Sequence, residues 1–357
     1  MDSMVDNSKE NENTSPVFVI AEAGVNHNGD ENLAMALVDT AAKCGANAVK
    51  FQTFTAEKLV RPGAEKAEYQ KRETGIGDQY SMLKALEISD DLHRRLVARC
   101  HALGIEFMST PFDEDAVDFL LSLGMKRIKV PSGEITNEPF LRYIAAKGVP
   151  MIVSTGMADM SEIHRMVEII DVTRRANGYS EPLADVLTIL HCTSNYPALC
   201  RDVNLRAMRS IATETGLPIG YSDHTLGIAV STAAVALGAT VIEKHFTLDR
   251  NMPGPDHKAS LTPEELAQLI SQIHDVEQAL GSALKQPNPS ELPVRELVRR
   301  SVTLVNSVRA GNPIERGDIA LLRPGNGIPS RDIDAVVGKI ILKDMEAGTT
   351  LRWQDLR

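Results

Sequence analysis

From Pro16 onward, short apolar and β-branched runs alternate with longer helix-patterned stretches, and the alternation is sustained eight times. The runs are VFVIAE (17–22), AVKFQTF (48–54), IEFMSTP (105–111), RIKVPSGE (127–134), PMIVSTG (150–156), VLTILHCTS (186–194), PIGYSDH (218–224) and TVIEKHFT (240–247). Between them, stretches such as ENLAMALVDTAAKCG, SDDLHRRLVARCHALG and DEDAVDFLLSLG carry apolar residues at helical spacing. They open on Asp30, Ser89 and Asp113, good caps, and close on Gly45, Gly104 and Gly124, where a helix end favours a left-handed residue. Eight strand-helix units in roughly 270 residues predict an α/β fold of the (β/α)8 TIM-barrel type rather than an open doubly wound sheet. No glycine-rich dinucleotide fingerprint follows a strand; the GIG at 75–77 reads as loop.

With 357 residues there is room for a second unit. The barrel pattern covers 16–282, and KQPNPSELP then marks a linker at 283–297. From 298 to 357 the pattern changes to short β-prone pieces (SVTLVNSV, IALLRPG, AVVGKIIL) divided by turn signals, which predicts a small β-rich domain. The first fifteen residues, MDSMVDNSKENENTS, lack the basic-then-apolar order of a signal peptide and read as a disordered tail.

A formal charge of -10 disfavours a nucleic-acid binder, which needs a basic face. Cys44, Cys100, Cys192 and Cys200 show no CxxC spacing, which fits free thiols in a reducing compartment. No apolar run is long enough to cross a bilayer, and the expected location is the cytoplasm.

In a barrel of this kind, the C-terminal ends of the strands supply the active site. Here those ends hold Glu22; Lys50 and Gln52; Ser109 and Thr110; Lys129, Ser132 and Glu134; Ser154 and Thr155; His191, Thr193 and Ser194, with Tyr196 beyond; Ser222, Asp223 and His224; and Glu243, Lys244 and His245. Any one of these is ordinarily a paired structural residue. Eight strands all ending in groups costly to bury point instead to one shared polar cavity. Lys50 and Lys129 with Thr110, Ser132, Ser154 and Ser222 suit a phosphate or carboxylate. His224 and His245 could share a divalent cation, although two imidazoles fall short of the three protein ligands of an ordinary zinc site and no HExxH motif is present. Glu22 and Glu134 are the candidate acid/base groups. Strand alternation sets Glu243 and His245 on one face and Lys244 on the other, a structural position.

In order along the chain, IAEAGVNHNG, AVKFQTF, STPFD, KVPSGEITN, STGM, HCTSNYP, GYSDHT, EKHFT and PGPDH resemble the bacterial sialic acid synthases, and RPGNG resembles their C-terminal antifreeze-like (SAF) domain. The resemblance implies condensation of phosphoenolpyruvate with an N-acetylmannosamine-type aldehyde, releasing phosphate, with a divalent metal. Manganese is the expected ion, magnesium or cobalt the alternatives. It implies that His224 and His245 ligate the metal, that Lys50, Thr110, Lys129, Ser132, Ser154 and Ser222 hold phosphoenolpyruvate, and that Glu134 activates water. Glu22, Gln52, Tyr196 and Asp256 are implied to contact the sugar, with Arg323 reaching its N-acetyl group from the partner subunit of a domain-swapped homodimer. One position departs: Ser194 stands where several relatives have asparagine, and Asn195 follows it. The segment AEKAEYQKRETGIGDQYSMLKALEIS is more similar to the N-acetylneuraminate and legionaminate branches than to the pseudaminate branch, and STPFD separates the chain from animal enzymes that use the 6-phosphorylated sugar. The expected activity is N-acetylneuraminate synthase, with legionaminate synthase acting on 2,4-diacetamido-2,4,6-trideoxymannose as the alternative. A Schiff-base pyruvate aldolase using Lys50 or Lys129 is a more distant one, to be tested by borohydride trapping.

Overall fold

The computed structural model describes residues 16–357, so the expected tail at 1–15 lies outside the described residues. The chain divides into two compact units after Gly281. In the first, eight parallel strands are β1 (Phe18–Gly24), β2 (Ala48–Thr53), β3 (Glu106–Pro111), β4 (Ile128–Val130), β5 (Met151–Ser154), β6 (Leu187–Cys192), β7 (Ile219–Asp223) and β8 (Val241–His245). Their order is β3-β2-β1-β8-β7-β6-β5-β4, a TIM-like barrel in which β3 and β4 lie side by side without a hydrogen-bonded ladder. Each strand is followed by a helix of the outer ring, from Glu31–Cys44 after β1 to Pro263–Leu280 after β8. The Asp30, Ser89 and Asp113 side chains accept backbone N–H bonds at the openings of their helices, and Gly45 and Gly104 close two of them at φ 87° and 71°.

Alternation along the strands explains the interior. Outward residues such as Val19, Val49, Ile128, Val153, Ile189 and Ile242 pack against the helices. Inward residues form an apolar floor of Ile20, Ala48, Met108, Ile152, Leu190 and Val241. Two positions further along, the same strands present Glu22, Lys50, Thr110, Ser154, Cys192 and Glu243. A side chain returns to the same face every second residue, so the register that seats the floor also lifts the polar layer above it.

Up to the start of the C-terminal β-rich segment, the sequence reading differs from the structure in three places. The fourth run is a strand only over Ile128–Val130, because Pro131 cannot extend the ladder and the chain turns into a 3-10 helix at Ser132–Glu134. The connection from β2 to β3 carries three short helices, Ala56–Leu59, Glu68–Thr74 and Gln79–Lys84, before the ring helix Asp90–Leu103. The segment read as a linker contains a helix, Leu292–Val298, whose Pro293 falls in the first turn, where its missing N–H is harmless.

The second unit holds an antiparallel pair, β9 (Ser301–Leu304) and β10 (Ile319–Leu322), over a core of Val302, Leu304, Ile314, Ile328, Val336, Ile341 and Leu351. The expected strand AVVGKIIL is replaced by a helical turn, Ile333–Val336, followed by isolated bridges. Among the described residues no helix is long and apolar enough to cross a membrane.

Candidate active site

Above the apolar floor lies a cavity of about 460 Å³. Its wall includes Glu22, Lys50, Gln52, Thr110, Lys129, Ser132, Ser154, Ser194, Tyr196, Ser222, His224 and His245, so twelve of the fifteen residues singled out above converge on it. The three that do not line it are Glu134, Asp256 and Arg323. Glu134 sits in the 3-10 turn after β4, half-buried, and accepts a 2.6 Å hydrogen bond from Asn137 Nδ2. Asp256 is buried in the loop after β8, and its charge bears on Tyr69 and Tyr196 of the wall. Arg323 is an exposed residue of the C-terminal unit.

The charged part of the wall is organised around a residue the sequence reading did not select, Glu243. Its carboxylate lies 3.5 Å from Lys50 Nζ and 3.6 Å from Lys129 Nζ, and it accepts a 2.9 Å bond from Ser222 Oγ. Lys50 is also 2.7 Å from Glu22 Oε2 and donates to Thr110 Oγ1 at 2.9 Å. Burial opposes the charge of Glu243, but Lys129, Lys50 and Ser222 outweigh it and hold the carboxyl at about 2. Glu22 goes the other way. Burial, with repulsion from Glu243, overcomes the attraction of Lys50 and pushes it up to about 7, where a carboxyl can give or take a proton at neutral pH. Lys129 is lowered by burial and by Lys50, against the pull of Glu243. Four ionisable groups therefore share one buried wall, two carboxylates for two cations, and the Ser154 hydroxyl beside them is buried without a protein partner.

Ser132 is fixed by the Gly156 N–H, which donates to its Oγ at 2.9 Å. Gly156 is required by close approach: a Cβ there would stand 2.2 Å from Ser194 Oγ and 2.9 Å from Ser132 Oγ. Beyond the serines, the His224 and His245 ring centroids are 5.7 Å apart. His224 Nδ1 donates to the Thr193 carbonyl at 2.7 Å, which leaves Nε2 with a free lone pair. His245 is driven well below the ordinary histidine range by burial and by His224, so it is neutral, and its buried Nδ1 has no protein partner. His224 is raised from the ordinary histidine range, burial being outweighed by Cys192, the Thr193 carbonyl and Glu243. A divalent cation would displace any proton on Nε2, and the two rings are spaced so that one ion could bond both at about 2.1 Å. Among the described residues no third His, Cys, Asp or Glu joins them, which leaves coordination positions for water and substrate. Tyr196 stacks on His224 at 4.0 Å and meets His245 edge-on at 5.7 Å, and Tyr69 stacks on Tyr196 at 5.2 Å.

Tyr69, Gln70 and Gln79, also on the wall, come from the helical segment between β2 and β3. No strand-end rule points to them. The loop after β8 is pinned by His257, which bonds Thr247 at 2.7 Å and Asn28 at 3.0 Å.

Lysines and hydroxyls that could hold an anion, beside two imidazoles that could share a cation, at the C-terminal mouth of a TIM barrel, fit an enzyme acting on a phosphorylated or carboxylated small molecule. The chain belongs to the NeuB family, whose model matches residues 37–285, and residues 299–357 match the SAF domain. It is 53% identical over 340 residues to the N,N'-diacetyllegionaminic acid synthase of Legionella pneumophila, covering 95% of this chain and 94% of that one. The protein of the same name from Campylobacter jejuni is 44% identical, over 94% of this chain and 98% of the relative. Among solved structures, the N-acetylneuraminic acid (sialic acid) synthetase of Leptospira borgpetersenii, in complex with citrate, is similar with a TM-score of 0.68 and 35% identity, over 79% and 90% of the two chains. The protein is thus a nonulosonic acid synthase, a transferase condensing phosphoenolpyruvate with a sugar, of a family that is in general metal-dependent.

Proposed function

We propose that this enzyme is an N,N'-diacetyllegionaminic acid synthase, joining phosphoenolpyruvate to 2,4-diacetamido-2,4,6-trideoxymannose. The observation that carries the acceptor is the 53% identity to the Legionella enzyme, against 35% to the Leptospira sialic acid synthetase. The alternative acceptor raised from the sequence therefore replaces N-acetylmannosamine. The wall agrees with an uncharged, amide-bearing sugar: the segment between β2 and β3 contributes Ala67, Tyr69, Gln70 and Gln79, with no cation among them.

In this reading Lys50, Lys129, Thr110, Ser132, Ser154 and Ser222 hold the phosphate and carboxylate of phosphoenolpyruvate and so fix its methylene carbon over the aldehyde. His224 and His245 would hold a manganese ion, which would supply Lewis-acid polarisation of the aldehyde oxygen. The methylene carbon attacks the aldehyde carbon, and the aldehyde oxygen takes a proton from Glu22, whose carboxyl is pushed up to about 7. Water adds to the cationic carbon left behind and gives its proton to Glu134, in the 3-10 turn after β4. Cleavage of the carbon-oxygen bond then releases inorganic phosphate and leaves a keto acid. Glu22, Gln52, Tyr196 and Asp256 contact the sugar, and Ser194 lies beside the serine that binds the anion. In a domain-swapped homodimer, Arg323 of the partner subunit reaches the N-acetyl group.

The test is a competition in which the diacetamido sugar and N-acetylmannosamine are offered together with phosphoenolpyruvate and manganese, with products separated by mass. Predominance of the diacetyl product supports the reading, and predominance of N-acetylneuraminate overturns it.

A further inference from the structure

The outer wall behind the two histidines carries a second ionic group. Asp223 ends β7 and Lys244 lies within β8, and the two are direct cross-strand partners. Lys244 Nζ is 2.9 Å from Asp223 Oδ2, and neither side chain has any exposure. Alternation turns both away from the cavity, whose wall takes Ser222, His224, Glu243 and His245 instead.

Asp223 is fully satisfied. Its Oδ1 accepts from the Thr225 N–H and the Thr225 hydroxyl, both at 2.8 Å, and its Oδ2 accepts from Ser231 Oγ at 2.6 Å. Lys244 donates to the Thr225 carbonyl at 2.5 Å. The network thus grips the residue before His224, the residue after it, and the residue before His245. The pair is fully buried, and the charges of Glu265 and Arg250 also act on Lys244, after burial and Asp223. A buried pair in such a place is commonly replaceable by apolar residues with no loss of stability, so cohesion of the wall alone does not call for it.

We propose that Asp223 and Lys244 are positioning residues that fix the distance and orientation between His224 and His245, and through them the affinity for a divalent cation. The inference rests on the reading of those histidines as the cation seat. The pair bonds neither imidazole and acts through the backbone; groups that hydrogen-bond a metal ligand directly alter affinity about 10- to 100-fold when removed, and the lower end of that range is expected here.

The experiment measures manganese binding to the full-length enzyme by electron paramagnetic resonance, together with melting of the metal-free protein. Wild type should bind the ion and His245→Ala should lose it; if His245→Ala binds as well as wild type, the cation-seat reading falls, and this inference with it. With that reading standing, Lys244→Met should weaken binding about 10-fold or more, and Lys244→Arg should restore it to within about 3-fold. Leu269→Ala, a cavity in the layer between barrel and helices, provides a destabilised control that should keep wild-type affinity. Unchanged affinity in Lys244→Met overturns the inference, as does equal weakening in Leu269→Ala. If Lys244→Met does not fold, the nearly isosteric Asp223→Asn is measured by the same criteria.

Discussion

The two ionic groups of β7 and β8 share a backbone and differ in almost everything else. On the outer face, Asp223 and Lys244 form a closed set with every acceptor used. On the inner face, Glu243 is pulled between two lysines, Glu22 is pushed up to about 7, and Ser154 and His245 have buried atoms without protein partners. Both sets are buried, so burial does not separate them; unmet bonding capacity does. The outer group spends its charges on geometry, while the inner group keeps its own available to a ligand.

The largest effect should come from breaking the inner set at its centre. Glu243→Gln leaves Lys50 and Lys129 with Glu22 alone, and should lower kcat/KM for phosphoenolpyruvate about 100-fold or more, with a stability loss of about 3 kcal/mol. Steady-state kinetics and urea unfolding check both, and near-normal values in each would remove Glu243 from the cage. A smaller effect sharpens the same contrast by geometry alone. Gly156→Ala forces Ser132 and Ser194 aside, and should raise KM for phosphoenolpyruvate about 10-fold while moving Tm little. An unchanged KM would detach the serines from anion binding.

His27 falls between the two sets. It is fully buried, its Nδ1 accepts from the Gly29 N–H at 3.1 Å, and its Nε2 has no protein partner, yet it does not line the cavity. Burial, with His93 and His257 nearby, lowers it from 6.5 to about 4. The unfolded chain therefore takes up a proton at higher pH than the folded one. The contribution of His27 is present above pH 6.5 and is lost as pH falls through about 4, a difference on the order of 3 kcal/mol at most. The stability gap between wild type and His27→Gln should narrow across that window in urea titrations; a constant gap would show that His27 does not titrate with unfolding.

Much of this was legible from periodicity. Once each strand is known to alternate and to end at the barrel mouth, Lys50, Thr110, Ser154 and Ser222 are forced inward, and so is His245. The same rule also turned Glu243 inward, but a cage expected to bind an anion selects cations and hydroxyls, so a central carboxylate was passed over. Glu134 was assigned to a strand, whereas Pro131 ends that strand early and moves Glu134 into a turn off the wall. Tyr69, Gln70 and Gln79 come from short helices in a connection, where no fixed period ties a side chain to the cavity. The helix Leu292–Val298 was hidden by its proline, which reads as a breaker everywhere except in a first turn.

The missing ladder between β3 and β4 gives the ligand a mechanical role. Thr110 stands on one side of that seam and Lys129 on the other, with Lys50 and Ser132 close behind them. An anion held by both sides is a clasp across the one join that the backbone leaves unfastened. It stabilises the barrel by an amount set by its concentration, about 2.7 kcal/mol at a hundredfold excess over Kd. If these residues hold phosphoenolpyruvate as proposed, the substrate is also a removable structural member, and an enzyme supplied with it should outlast a starved one.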